Sequence, residues 1–144
     1  MVDLAIKGRE KLEISRVEMD RPGPSYTIDT IKHYQNGDLK IAFIVGADNL
    51  IQIHTWKSPE ELLNSCPFIV APRGGYDESD FTNGQFDGKE IWFLNMEEIK
   101  ISSTKIRSRY REGLSVDSML PDSVKKFIKQ KGLYQEGSST LKKP

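Results

Sequence analysis

The chain has 144 residues, with 21 basic and 21 acidic side chains, 37% hydrophobic residues, two His and one Cys. That length suits one domain with a modest core, the lone Cys66 excludes an internal disulfide framework or a Cys metal cluster, and no apolar run approaches the ~18 residues that span a bilayer. The zero net charge conceals a split: residues 1–99 carry 10 Lys/Arg against 17 Asp/Glu, and residues 100–144 carry 11 against 4, which is −7 followed by +7.

The opening Met-Val-Asp-Leu-Ala lacks the charged-then-apolar plan of a secretory signal, so a cytoplasmic protein that does not engage a membrane is expected. Residues 2–7 read as a short helix and 12–17 as a β-rich run. Over 27–35, Ile28, Ile31 and Tyr34 line one face at helical spacing. The runs 39–45 and 67–71 are nearly continuous in apolar residues, as expected of strands covered on both faces of a parallel sheet. Between them, Ser58-Pro59-Glu60-Glu61 reads as an N-cap, a Pro at the first helical position and early acids. Residues 73–89, rich in Gly and Asp, read as a mobile surface loop before a fourth β-rich run at 90–94. A short helix then follows Ser102 or Ser103 and stops at Gly113, and a last helix over 124–131 closes at Gly132. The expected domain is 1–134, followed by a flexible polar tail at 135–144.

Alternation of helices with apolar strands predicts an α/β parallel-sheet architecture, whose ligands gather at the carboxyl ends of the strands. Four segments then carry the chemistry. In Ile101-Ser-Ser-Thr-Lys-Ile-Arg107, a helix start exposes N–H groups, Ser102, Ser103 and Thr104 add hydroxyls, and Arg107 lies one turn in. That set suits a polyphosphate, although an ordinary Ser cap with a solvated Arg uses the same residues. Gly46-Ala-Asp48 follows the apolar run ending at Val45, where Gly permits close backbone approach and Asp accepts from ribose hydroxyls, or Asp48 simply caps a helix. Trp56 beside Thr55 and Lys57 offers a stacking face for a flat ring, and a packed core Trp is its plain alternative. Arg21-Pro-Gly-Pro-Ser-Tyr-Thr is a stiff turn that delivers Ser25, Tyr26 and Thr27 to a helix start, where they could face a carboxylate or where Thr27 could merely cap the helix.

In order along the chain, Arg21-Pro-Gly-Pro-Ser-Tyr-Thr-Ile-Asp-Thr30, Phe43-Ile-Val-Gly-Ala-Asp48, Thr55-Trp56, Val70-Ala-Pro-Arg73, Ile101-Ser-Ser-Thr-Lys-Ile-Arg107, Leu120-Pro-Asp-Ser-Val124 and Gly132-Leu-Tyr134 resemble the bacterial nicotinate-nucleotide adenylyltransferases. The resemblance runs from about residue 4 to 134 and implies a Rossmann-like nucleotidylyltransferase fold. It implies transfer of AMP from ATP to nicotinate mononucleotide, giving nicotinate adenine dinucleotide and pyrophosphate, with Mg²⁺ accompanying ATP. Carried over by position, Ser102, Ser103, Thr104 and Arg107 would hold the ATP phosphates, and Gly46 and Asp48 would contact the adenosine. Trp56 would stack on the pyridine ring, the Thr27 region would read its carboxylate, and Arg73 would approach the mononucleotide phosphate. A substrate phosphate attacking the α-phosphorus needs no protein nucleophile, so positioning and charge neutralisation would carry the rate.

Members of that family open with a strand and a Gly-x-Phe-x-Pro-x-His-x-Gly-His segment, which does not occur among these 144 residues. His33 and His54 lie in other contexts, so no catalytic residue is assigned and the fold is expected to be incomplete at its N-terminus. With donors at a reacting centre each worth ~100-fold or more, these residues alone are expected to turn over slowly. The other readings are a non-catalytic nucleotide-binding remnant and an adenylyltransferase for nicotinamide mononucleotide or another phosphorylated acceptor. Nucleic acid is not an expected partner, because Lys125, Lys126, Lys129 and Lys131 accompany Val124, Phe127 and Ile128 as the solvated face of an amphipathic helix. The sequence is compatible with a homo-oligomer without specifying one.

Overall fold

The computed structural model describes residues 1–37, 39–82 and 84–135, and the chain gathers into two compact units. One is Arg16–Ile99; the other joins Met1–Ser15 to the chain from Lys100 onward. The expected domain 1–134 therefore runs through both, and the expected tail lies, beyond Gln135, outside the described residues.

In the Arg16–Ile99 unit, three parallel strands, β1 (Phe43–Gly46), β2 (Phe68–Ala71) and β3 (Ile91–Phe93), lie in the order β1-β2-β3. The register pairs Phe43 with Phe68 and Phe68 with Ile91. Because side chains alternate along a strand, Phe43, Val45, Phe68, Val70, Ile91 and Phe93 fall on one face. Against that core pack Ile28 and Ile31 of α3 (Thr27–Gln35) and Leu62 and Leu63 of α5 (Pro59–Ser65), all four buried. Full burial of such side chains is worth roughly 1.5–3 kcal/mol each. The helix α3 has the limits that its periodicity predicts.

The sheet is not covered on both faces as its apolar strands suggest. Ile44 is 67% exposed and Trp92 55% exposed, with half-buried Ile69 between them in register. Apolar composition reports that a strand can be buried twice over; the partner that would bury it is a tertiary matter. The first strand is also shorter than its apolar run. Its ladder begins where Phe43 N–H donates to Pro67 C=O, at 2.9 Å, and residues 39–42 precede the start of β2, leaving Leu39 exposed. The β-rich run 12–17 forms no strand at all: it is irregular to Arg16, and Val17 opens the short helix α2 (Val17–Asp20). Alternating apolar residues supply a face, whereas a strand also needs a neighbour to take its N–H and C=O groups.

Residues 73–89 are more than a surface loop. Two 3₁₀ turns, Glu78–Phe81 and Gly84–Phe86, bury Phe81 and Phe86 with their rings 5.1 Å apart, and Phe81 lies 5.4 Å from Phe93 of β3. Asp77 starts the first turn with a capping box, accepting from Ser79 N–H at 2.8 Å while Asp80 accepts from Asp77 N–H at 2.9 Å.

In the other unit, α1 (Val2–Ile6) packs on α7 (Asp122–Gln130), and Ser123 Oγ donates to Leu4 C=O at 2.8 Å. Val124 and Ile128, one turn apart on α7, are buried. Lys125 departs from the expected solvated basic face: its side chain is 21% exposed and its Nζ bridges Asp117 and Asp122, each at 2.7 Å. Those two carboxylates push the Lys125 ammonium well above its ordinary value. Helix α6 (Ser103–Arg111) precedes it and ends before Gly113, whose φ of 68° suits glycine.

Candidate nucleotide site

The carboxyl end of β1 delivers Gly46, and two residues on, within the single turn α4 (Ala47–Leu50), stands Asp48. The neighbouring strand β2 ends at Ala71, the partner of Gly46, and two residues later comes Arg73. Two parallel strands ending in register thus bring Gly46, Asp48 and Arg73 together, and Arg73 Nε lies 3.3 Å from Asp48 Oδ2. Asp48 is no helix cap: Gly46 holds the N-cap position, and Asp48 lies inside the turn. The backbone here tolerates no added bulk without movement, since a Cβ on Gly46 would lie 2.6 Å from Asp48 Oδ1 and 3.2 Å from Arg73 Cδ. Gly46 has an ordinary φ of −75°, so alanine is conformationally permitted. Gly46→Ala is therefore expected to displace Asp48 from Arg73 while changing stability by less than about 1 kcal/mol, because the ion pair is partly exposed. The paired check is the Arg73 Nε–H resonance, expected to move, and the urea midpoint, expected to hold.

A second group of residues forms a pocket of about 200 Å³, lined by residues 25–27 and 55–57 together with Leu62. A 3₁₀ turn, Ile53–Thr55, is pinned by fully buried Ile53 and by Thr55 Oγ1 donating to Gln52 C=O at 2.8 Å. Trp56 follows in extended conformation, and Ser58 then takes a left-handed one, with φ 50°. In that conformation Ser58 makes no side-chain cap on α5, unlike the expected Ser cap, because a capping residue needs β-region angles to reach the next N–H groups. Trp56 is neither a fully buried core residue nor free of the core: it is half-buried, and its ring meets Phe43 edge-on at 6.3 Å. Across the pocket, Thr27 is the first residue of α3 and not its cap, a position held by Tyr26. Thr27 N–H is thus among the donors that a helix cannot satisfy by itself.

Sequence reasoning missed the charges around this pocket. Lys57 Nζ donates to both Asp29 oxygens, at 2.9 and 3.2 Å, and stands 4.5 Å from the Tyr26 ring centroid. The hydrogen bond from Lys57 holds the Asp29 carboxyl below the usual carboxylate range, so the pair persists at neutral pH and is lost only as pH falls through that lowered value. The only signal was Lys57 adjoining Trp56, since Asp29 lies 28 residues away. Nearby, Arg21 Nη2 donates to Thr30 Oγ1 at 3.4 Å, which in turn donates to Glu18 Oε1 at 2.7 Å, bracing the turn before α3.

The third group belongs to the other unit. Ser102 is the N-cap of α6, its Oγ accepting from Lys105 N–H at 3.2 Å, so the ordinary capping role is filled. Arg107 does reach back one turn: its Nη2 donates to Thr104 Oγ1 at 3.3 Å. Ser103 and Thr104 open the helix and are exposed. Cys66, half-buried and packed against the core, has its thiol pushed up by burial, which suits packing better than attack.

The sequence profile of the cytidylyltransferase-like family matches residues 1–109. Among curated proteins, the chain is 34% identical to the probable nicotinate-nucleotide adenylyltransferase of Desulfatibacillum aliphaticivorans, covering 93% of this chain and 73% of that protein. It is 38% identical to the corresponding Clostridium botulinum (strain Kyoto) protein, over 94% of this chain and 71% of the relative. It is 36% identical to the nicotinate-nucleotide adenylyltransferase of Bacillus subtilis, over 94% and 69%. Among solved structures, the fold matches Plasmodium falciparum nicotinic acid mononucleotide adenylyltransferase in complex with NaAD, with TM-score 0.63 and 21% identity, over 77% of this chain and 58% of that one. This chain therefore spans about seven tenths of the curated relatives and under two thirds of the solved one. The three-stranded parallel sheet is that of a Rossmann-like nucleotidylyltransferase, and the chain belongs to the nicotinate-nucleotide adenylyltransferases within the cytidylyltransferase-like family.

Proposed function

We propose that this chain serves the transfer of AMP from ATP to nicotinate mononucleotide in NAD biosynthesis, in the cytoplasm. The observation that carries the reading is the pocket in which half-buried Trp56 lies with the first residue of α3, Thr27. It unites an aromatic face for a pyridine ring with N–H donors for an anionic substituent. Thr27 and Trp56 hold the nicotinate end, and Arg73 meets the mononucleotide phosphate. Gly46 and Asp48 contact the adenosine, where the Asp48 carboxylate accepts from ribose hydroxyls. Ser102, Ser103, Thr104 and Arg107 supply donors to the ATP phosphates. In the reaction, a phosphate oxygen of nicotinate mononucleotide bonds to the α-phosphorus as the bond to the β-phosphate breaks, releasing pyrophosphate. Mg²⁺ enters as part of the substrate, ligated by ATP phosphate oxygens.

Calorimetric titration of the 144-residue chain with nicotinate mononucleotide tests the reading without requiring turnover. Saturable binding at one site is expected, with quenching of tryptophan emission. Failure to bind at millimolar ligand, while the chain remains folded by circular dichroism, would overturn it.

A further inference from the structure

The loop that leaves β2 carries Arg73 and then two glycines, Gly74 and Gly75, both in the left-handed region, at φ 73° and 75°. Glycine loses more conformational freedom on ordering than any other residue, so the backbone beside Arg73 is where this loop would lose its shape first. Two carboxylates hold it. Asp48 takes the Arg73 guanidinium, at 3.3 Å, and Glu98, past the end of β3, accepts from Gly74 N–H at 3.0 Å. The two holds differ in what a ligand does to them. An anion arriving at Arg73 competes with Asp48 for the same side chain, which is 53% exposed. The Glu98 contact uses the backbone one residue on, so it persists when the guanidinium changes partner.

We propose that Glu98 is a positioning residue: by holding Gly74 N–H it fixes the backbone from which Arg73 reaches the phosphate of a mononucleotide. The inference rests on the role given to Arg73 above. Charge and tether predict opposite signs for Glu98. As a negative charge beside an anion site it repels the phosphate, so that its loss tightens binding. As a tether it keeps Arg73 in place before the ligand arrives, so that its loss weakens binding by the cost of ordering the Gly-Gly loop.

The test uses the 144-residue chain, Glu98→Ala and Glu98→Gln. The alanine removes charge and acceptor together, whereas the glutamine removes the charge and keeps an acceptor oxygen. Without ligand, exchange of the Gly74 amide hydrogen, followed by NMR, is expected to quicken about threefold to tenfold in Glu98→Ala and to stay within about twofold of the parent in Glu98→Gln. By calorimetry, nicotinate mononucleotide should bind Glu98→Ala about threefold to tenfold more weakly and Glu98→Gln at least as tightly as the parent. Nicotinate riboside, which lacks the phosphate, should bind all three alike. Tighter binding of the mononucleotide by Glu98→Ala would make Glu98 a repelling charge and overturn the proposal, as would unchanged Gly74 exchange or an equal loss of the riboside. A parent that prefers the mononucleotide to the riboside, with that preference intact in Glu98→Ala, would overturn the role of Glu98 and leave that of Arg73 standing. A parent without the preference would remove the phosphate role of Arg73 and this inference together.

Discussion

Phe68→Ala is expected to lower the unfolding free energy by about 3–5 kcal/mol, the cost of emptying a fully buried aromatic site. Phe68 opens the central strand, has no exposed surface, and packs its ring 5.6 Å from that of Phe43. It is paired in register with Phe43 on one side and Ile91 on the other, so the void would open at the centre of the sheet where all three strands meet. Domains of this size are stable by about 5–15 kcal/mol, so the variant should lose a large share of its folded margin and fall by roughly 10 °C or more in Tm. Urea and thermal unfolding followed by circular dichroism check this, with Trp92→Ala as the comparison. Trp92 lies two strands from Phe43 on the exposed face, and its truncation should cost under about 1 kcal/mol. Equal effects of the two substitutions would show that the sheet is not organised around its buried face.

Trp56→Ala should weaken nicotinate mononucleotide binding by about tenfold to a hundredfold, the range that a lost ring-on-ring stack accounts for. Part of any loss could arise from the scaffold, because Trp56 also touches Phe43. Trp56→Phe separates the two contributions: it keeps an aromatic edge against Phe43 and a smaller stacking face, so it should retain stability and bind with intermediate affinity. Titration calorimetry on both variants, with Tm measured alongside, is the check. Unchanged affinity in Trp56→Ala would remove the stacking role.

Features fixed by local periodicity were legible before any coordinates. The helix over 27–35 follows from three apolar residues on one face, and β2 and β3 lie within one residue of their apolar runs. The rule that ligand residues gather at strand ends likewise pointed to Gly46 and Asp48, whereas Arg73 came only with the family resemblance, and nothing local says that Arg73 would lie against Asp48, 25 residues away on the next strand's loop. Pairing was the information lacking elsewhere. Residues 12–16 have a strand's alternation without a neighbouring strand, and residues 39–42 precede the partner that would extend β1. Lys125 has a surface lysine's sequence context, yet its ammonium is paired with two aspartates, one from a turn and one from a helix start. The 73–89 segment is polar enough to pass for a mobile loop, yet two phenylalanines five positions apart suffice to tether it.

The open face of the sheet bears on how this protein can be watched. Its two tryptophans occupy contrasting settings: Trp56 lines the pocket, half-buried, and Trp92 is 55% exposed on the uncovered side of β3. A water-soluble collisional quencher such as iodide should extinguish Trp92 emission first and leave Trp56 as the dominant emitter. Under that condition the intrinsic fluorescence of the unlabelled chain becomes a single-residue optical probe of pocket occupancy.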